Sequence, residues 1–274
     1  MKILIIDNQY TQFEQLKSRI EEIDRKNKEF NVFPGKDDFK TLLTAVKVYI
    51  YYGEDKSDDA DPEVEAKNVE YRSKSWERIL SYVKNCDLIL MDYRLGSSIT
   101  CMTGLDLVLD IWKEKDVPIL ILSRDEQTRE DVLIKWTGIK ESNDARIQWL
   151  VKGYWGAKLL PLGFVSANII PAIRKLYATF TDSRKRKSFS SLLEVNLNRL
   201  LSLQWSNNYQ YSLLQQVKDI LSYKPSFDVE DLELLNNILS GQRTTRLTDA
   251  TEKEIKRVLT KYYDESGSPV FLKS

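Results

Sequence analysis

The 274-residue chain carries 41 basic and 41 acidic residues and no histidine. Without imidazole there is no His-ligated metal site, no Ser-His-Asp or Cys-His nucleophile system and no phosphohistidine. If a phosphoryl group moves through this chain, a carboxylate is the expected carrier, and any histidine donor belongs to another molecule. At 42% hydrophobic and 11% aromatic the composition supports packed cores rather than disorder, and the length suits one large or two ordinary domains.

The longest apolar runs, such as Ile3–Ile6 and Ile119–Leu122, are strand-sized and too short to span a bilayer. No basic n-region followed by an apolar h-region opens the chain, so no secretory signal is read and a cytoplasmic protein without membrane insertion is expected. Cys86 and Cys101 lie fifteen residues apart, a spacing of neither a CxxC redox pair nor a zinc knuckle, and are read as reduced, packed thiols. Residues 1–160 hold 25 basic against 29 acidic residues, and 161–274 hold 16 against 12. This asymmetry suggests an acidic pocket in front and a mildly basic surface behind.

Lys2–Ile6 reads as a buried strand ending in Asp7-Asn8, and Phe13, Leu16, Ile20 and Ile23 follow at helical spacing. The stretch 31–75 contains Pro34-Gly35, a β-rich run Val46–Tyr52 and an acidic loop Glu54–Glu65. It is read as one regular strand plus an inserted hairpin or helix-and-strand excursion. Trp76–Val83 is expected to be helical and Asp87–Asp92 a strand. Leu105, Val108, Leu109 and Trp112 mark the next helix, and Val117–Leu122 is a strand ending at Ser123. A polar helical stretch leads to a strand Ile147–Val151 ending at Lys152. A helix around Ile169, Ile173, Leu176 and Phe180 closes this region.

After Asp182–Lys187 (DSRKRK) the pattern becomes wholly helical. The apolar sets are Leu193/Leu197/Leu200/Leu201, Leu214/Val217/Leu221, Leu232/Leu235/Leu239 and Ile255/Val258/Leu259/Tyr262. Asp228 is the expected N-cap and Gly241 the expected stop of the third, and Thr251/Glu254 the expected capping box of the fourth. The boundary falls near 181–188, with Ser183–Lys187 as a soluble linker or a partner contact. The first part, 1–181, is thus an α/β domain of parallel βαβ units in an open, doubly wound five-stranded sheet with an insertion at about 31–75. An all-α domain at 188–274 follows it.

In such sheets functional residues collect beyond the carboxyl ends of the strands. Here those ends carry Asp7-Asn8, Asp92, Ser123 and Lys152. An aspartyl-phosphate site needs an exposed carboxylate nucleophile, oxygen ligands for Mg²⁺, a cation facing the phosphoryl group, and a hydroxyl that senses the product. The strand ends supply one of each.

The order MKILIIDN, CDLILMDYRLG…MTGLDLV, VPILILS and IQWLVKG resembles the receiver domain of two-component response regulators, a flavodoxin-like fold, over roughly residues 1–180. The resemblance implies Asp92 as phosphoacceptor. It places Asp7 and Asn8 in the Mg²⁺ pocket with the Arg94 backbone carbonyl as third ligand. Ser123 is then the switch hydroxyl, Lys152 the charge partner of the phosphoryl group, and Trp149 the reorienting aromatic. It further implies a phosphorelay in which a histidine kinase or phosphotransfer protein is the donor. No catalysis is implied beyond slow self-phosphorylation and dephosphorylation. Asn8 stands where the family has a second acid and Gly153 where it has proline. These departures motivate an alternative, a pseudo-receiver that serves only protein contact. A second alternative is a DNA-binding regulator using the basic residues Arg243, Arg246, Lys253, Lys256, Arg257 and Lys261, although Ser240–Thr251 is too long for the tight turn of a helix-turn-helix. A homodimer is a further candidate assembly.

Overall fold

In a computed structural model describing residues 1–52, 62–95, 104–123, 137, 145–151, 160–222 and 227–263, five apolar segments form one parallel sheet. The strands are β1 (Lys2–Ile6), β2 (Asn31–Phe33), β3 (Leu88–Asp92), β4 (Ile119–Ser123) and β5 (Ile147–Val151). Their spatial order is β2-β1-β3-β4-β5, and every pairing is parallel. Both faces are covered, which is why β3 and β4 are buried along their whole length and read as continuous apolar runs. Alternation still sorts the side chains. Leu4, Ile6, Ile89, Met91, Ile119 and Ile121 enter one core, whereas Ile3, Ile5, Leu88, Leu90, Leu120 and Leu122 enter the other.

Helix α1 (Tyr10–Asp24) buries Phe13, Leu16 and Ile20 in the second core, beside Val165, Ile169, Ile173 and Leu176. The first core is closed by α2 (Lys36–Tyr51), α3 (Pro62–Val83) and α4 (Gly104–Glu114). The β-rich run Val46–Tyr52 is therefore not a strand: residues 46–51 end helix α2. Leu42, Ala45, Val46, Tyr49 and Ile50 recur at helical spacing and are all buried, so one-sided burial outweighs the β-branched propensity of Val46, Val48 and Ile50. Within 31–75 the expected single strand is β2, and the other elements among the described residues are α2 and the start of α3. Of the acidic loop, residues 54–61 lie outside the described residues and 62–65 open α3. On α4, Leu105, Leu107, Val108 and Ile111 are the buried apolar residues, whereas Leu109, expected on that face, is exposed. Lys115 joins the two helices by donating to the carbonyls of Val83 and Lys84, each at 3.0 Å, and of Cys86. A cation thereby sits where the carbonyls of α3 end. Cys86 is buried and free. Cys101 and most of the polar stretch after Ser123 lie outside the described residues.

The chain divides into two units, Met1–Phe180 and Thr181–Ser274. A helical turn Leu162–Phe164 and a π turn Val165–Ile169 lead into α5 (Ile170–Leu201). The segment 182–187, read as a soluble linker or partner contact, is helical and mostly exposed; it contains neither Gly nor Pro to stop the helix. In the second unit the C-terminal part of α5 is followed by α6 (Asn208–Leu221), α7 (Val229–Ser240) and α8 (Asp249–Leu259). Their core comprises Leu193, Leu197, Leu200, Leu214, Val217, Phe227, Leu235, Leu239, Ile255 and Val258, among others. Asp228 and Gly241 occupy the cap positions of α7, although the Asp228 side chain makes no capping bond. The N-cap of α8 is Thr248, whose Oγ1 accepts from the Thr251 amide at 3.2 Å. The N-cap thus lies three residues before the expected Thr251, and the expected Thr251/Glu254 capping box is not the start of the helix. No helix among the described residues is long and apolar enough to cross a membrane.

Candidate functional site

Chain order and spatial order part company at β1: the chain leaves it for β2 on one side and returns to β3 on the other. The carboxyl ends of strands at such a reversal are the general ligand site of open α/β sheets. Asp7 directly follows β1, and Asp92 is the last residue of β3. The register of β1 with β3 ends at Ile6↔Met91, the residues immediately before Asp7 and Asp92, on strands ~4.8 Å apart. Asp92 in turn pairs with Leu122, so Ser123 lies one residue further along β4, opposite Val151 of β5. Lys152 is the residue after Val151, and it lies outside the described residues together with Gly153.

All three described groups are withdrawn from solvent, Asp7 being 4% exposed, Asp92 8% and Ser123 4%, so Asp92 is not the exposed carboxylate that the sequence reading expects. Two carboxylates this buried on adjacent strands call for counter-charge, protons or hydrogen bonds. One is visible at Asp7, whose Oδ1 accepts from the Gln9 amide at 2.8 Å. Gln9 is itself the N-cap residue of α1 and makes no side-chain capping bond. Asp7 therefore braces the turn before the helix rather than capping the helix. The half-buried Asn8 presents an Oδ1 atom that is shielded from water and has no hydrogen-bond partner among the described residues, a costly state for an amide oxygen. Among the described residues there is no cluster of three or more His, Cys, Asp or Glu side chains suited to a metal. The candidate oxygens at these strand ends belong instead to two carboxylates, an amide and the backbone.

The chain after Asp92 is held tightly. The Tyr93 amide donates to the Leu122 carbonyl at 2.9 Å, and the Tyr93 carbonyl accepts from the Gly104 amide at 2.8 Å. A Cβ on Gly104 would lie 2.7 Å from the Asp92 carbonyl oxygen and 3.2 Å from Met91 Sδ. Only glycine lets α4 start so close to the strand. Trp149 is partly buried against the first core, and its ring lies 5.0 Å from that of Tyr93, tilted by 48°. Arg94, whose carbonyl the resemblance implicates, follows as an exposed residue. Gly104 and Tyr93 are structural partners of Asp92 that sequence reasoning did not single out. A glycine at the start of an amphipathic helix was the available sign for Gly104, but nothing local signals a ring contact between residues 93 and 149.

The remaining sequence candidates do not act as one group. Lys256 pairs with Glu252 at 2.7 Å, Arg257 with Glu254 at 2.9 Å and Lys261 with the buried Asp231 at 2.7 Å. A groove of about 500 Å³ bordered by Phe13, Glu14, Lys17, Arg19, Glu21 and Lys36 runs along α1 and is lined by none of the strand-end residues. No family model matches the chain, and neither does any curated protein or solved structure.

Proposed function

We propose that the first unit is a response-regulator receiver that accepts a phosphoryl group on Asp92. The observation carrying this reading is the pair of buried carboxylates, Asp7 and Asp92, on the two strands that flank the switch point, with the Ser123 hydroxyl on the next strand. A carboxylate oxygen of Asp92 attacks the phosphorus of a donor, an imidazole-bound phosphoryl group on a kinase or a small acyl phosphate. An O–P bond forms at Asp92 while the donor's bond to phosphorus breaks, its electron pair leaving with the donor.

The donor set suits a hard divalent cation. Asp7, Asp92, the orphaned Asn8 Oδ1 and the Arg94 carbonyl supply oxygen only, the preference of Mg²⁺ rather than of zinc. When bound, Mg²⁺ supplies charge neutralisation between the carboxylates and the incoming phosphoryl oxygens. Asp7 holds that charge in place through its anchored turn. Lys152, as the resemblance implies, faces the remaining phosphoryl charge, and the Ser123 hydroxyl donates a hydrogen bond to a phosphoryl oxygen of the product. The new charge then biases the β4–β5 edge of the sheet, where Trp149 lies. This is a population shift rather than turnover.

Intact-mass spectrometry after incubation with acetyl phosphate and Mg²⁺, beside an Asp92→Asn variant, tests the proposal. One phosphoryl adduct on the wild type alone supports it. No adduct under conditions where Mg²⁺ binds would reject it and favour the pseudo-receiver reading, which the neutral Asn8 supports by lowering the charge offered to the cation.

A further inference from the structure

Of the six basic residues that the sequence singles out in the helical unit, Lys253 is an exposed residue of α8, and the other five separate into two kinds. Lys256, Arg257 and Lys261 are compensated by Glu252, Glu254 and Asp231. Arg243 and Arg246 are exposed and have no acidic partner among the described residues. They lie in the connection between α7 and α8, whose backbone is held from several directions. Gln242 Nε2 donates to the carbonyls of Thr244 and Arg246, each at 2.8 Å. Thr244 Oγ1 donates to the Arg246 carbonyl at 3.1 Å. From α5, Arg199 Nη1 donates to the Gln242 carbonyl at 2.9 Å. The buried Gln210 clasps the far end, its Oε1 accepting from the Leu247 amide at 2.9 Å and its Nε2 donating to the Leu247 carbonyl at 3.2 Å. Leu247 itself is 1% exposed and anchors the segment in the core.

A surface connection is ordinarily loose. This one is fixed by four side chains and displays two guanidinium groups three residues apart. Arginine is the side chain whose planar fork engages phosphate oxygens in pairs, and a fixed backbone lowers the entropy lost when two such side chains dock. The geometry points to a nucleic-acid contact: Arg243 and Arg246 engage neighbouring phosphates of a duplex backbone, without reading sequence. Three residues span at most ~10 Å, a reach compatible with adjacent phosphates along one strand. Nothing in the segment Gly241–Thr248 (GQRTTRLT) offers an aromatic ring on which an unpaired base could stack. Both arginines stand on an open surface, so a polyanion, which gains affinity by counterion release, fits better than a single phosphate that needs enclosure. The nearby acid Asp249 lies in the first turn of α8, where the helix dipole favours it, and Glu252 and Glu254 are already taken.

Fluorescence anisotropy of the full chain with a short labelled duplex DNA, titrated at several salt concentrations, tests this. The wild type should bind at low salt. Arg243→Gln/Arg246→Gln should flatten the dependence of log affinity on log salt by about 2, and Arg246→Gln alone by about 1. Both variants should keep the wild-type melting temperature, because these side chains are exposed. Arg257→Gln should keep the slope, its charge being compensated by Glu254. Asp92→Asn should bind DNA as the wild type does, which separates this inference from the phosphoryl-transfer reading. Absence of binding at low salt, or an unchanged slope in the double variant, overturns the inference. Equally tight binding of a poly-glutamate peptide would also overturn it and indicate an acidic protein partner.

Discussion

A Cβ on Gly104 would lie 2.7 Å from the carbonyl oxygen of Asp92. The obstructing atom is backbone and cannot turn aside as a flexible side chain would. Gly104→Ala must therefore move the start of α4 or the end of β3, at about 1–3 kcal/mol by the usual scale of overpacking. Thermal unfolding should fall by roughly 2–4 °C per kcal/mol. Phosphoryl-adduct formation with acetyl phosphate should fall further than stability does, because the displaced atom belongs to the proposed acceptor residue. Adduct formation at the wild-type rate in a destabilised Gly104→Ala protein would show that this close approach serves packing alone.

Asn8→Asp should tighten Mg²⁺ binding. The orphaned Asn8 Oδ1 would become part of a carboxylate facing the cation. A further unit charge at ~4 Å contributes on the order of several kcal/mol in an effective dielectric near 20, less the repulsion from Asp7 and Asp92. A Kd lower by tenfold or more is expected, read by titration of tryptophan fluorescence or by calorimetry. Asp7→Asn should act in the opposite direction.

Alkali should weaken the first unit. Burial, then the hydrogen bond donated to Asp110 at 2.7 Å, push the Tyr49 phenol up to about 12 from 10.0. Burial pushes the Cys86 thiol up to about 12 from 9.0. Both groups keep their protons in the folded chain at pH values where the unfolded chain has released them. The stability they contribute is therefore full below about pH 9 and is lost progressively towards pH 12. Tyr49→Phe and Cys86→Ala should each flatten the fall of urea midpoint with pH, Cys86→Ala from pH 9 upward and Tyr49→Phe from pH 10 upward.

Asp231 is 3% exposed, accepts from Lys261 Nζ at 2.7 Å and from Tyr262 Oη at 2.9 Å, and so ties the segment after α8 to α7. Asp231→Ala should cost about 1–3 kcal/mol in the helical unit, the penalty for leaving partly buried donors unpaired. Lys261→Met should cost less, since its ammonium is half exposed and Tyr262 still engages the carboxylate. A urea series on both variants checks the order.

Much of the first unit was legible because burial on both faces turns strands into unbroken apolar runs. Lys2–Ile6, Leu88–Asp92 and Ile119–Ser123 stand out for that reason, whereas the edge strand Ile147–Val151 is only partly buried and is interrupted by Gln148; polar residues directly after such runs mark a sheet edge. The helix-spaced leucines of the second unit were legible for the matching reason, one apolar stripe per helix. Val46–Tyr52 misled because β-branched residues carry a local preference that only the packing of α2 against α3 and the sheet overrides. The capping residue of α8 was displaced because Thr248 and Thr251 are chemically equal candidates until the backbone direction selects one.

By itself the sequence determined the alternation of strand and helix, the passage to a helical second part, the absence of imidazole chemistry, and the candidate acids Asp7 and Asp92. Those follow from local periodicity and residue type. The tertiary structure alone decided which strands are neighbours, and hence that Asp7 and Asp92 stand at the ends of adjacent strands although they are 85 positions apart. It alone set Gly104 against Asp92 and Tyr93 against Trp149, and divided the basic residues of the helical unit into compensated and uncompensated groups. Strand order, register and ion pairing depend on contacts between segments distant in the chain, and local periodicity carries no record of such contacts.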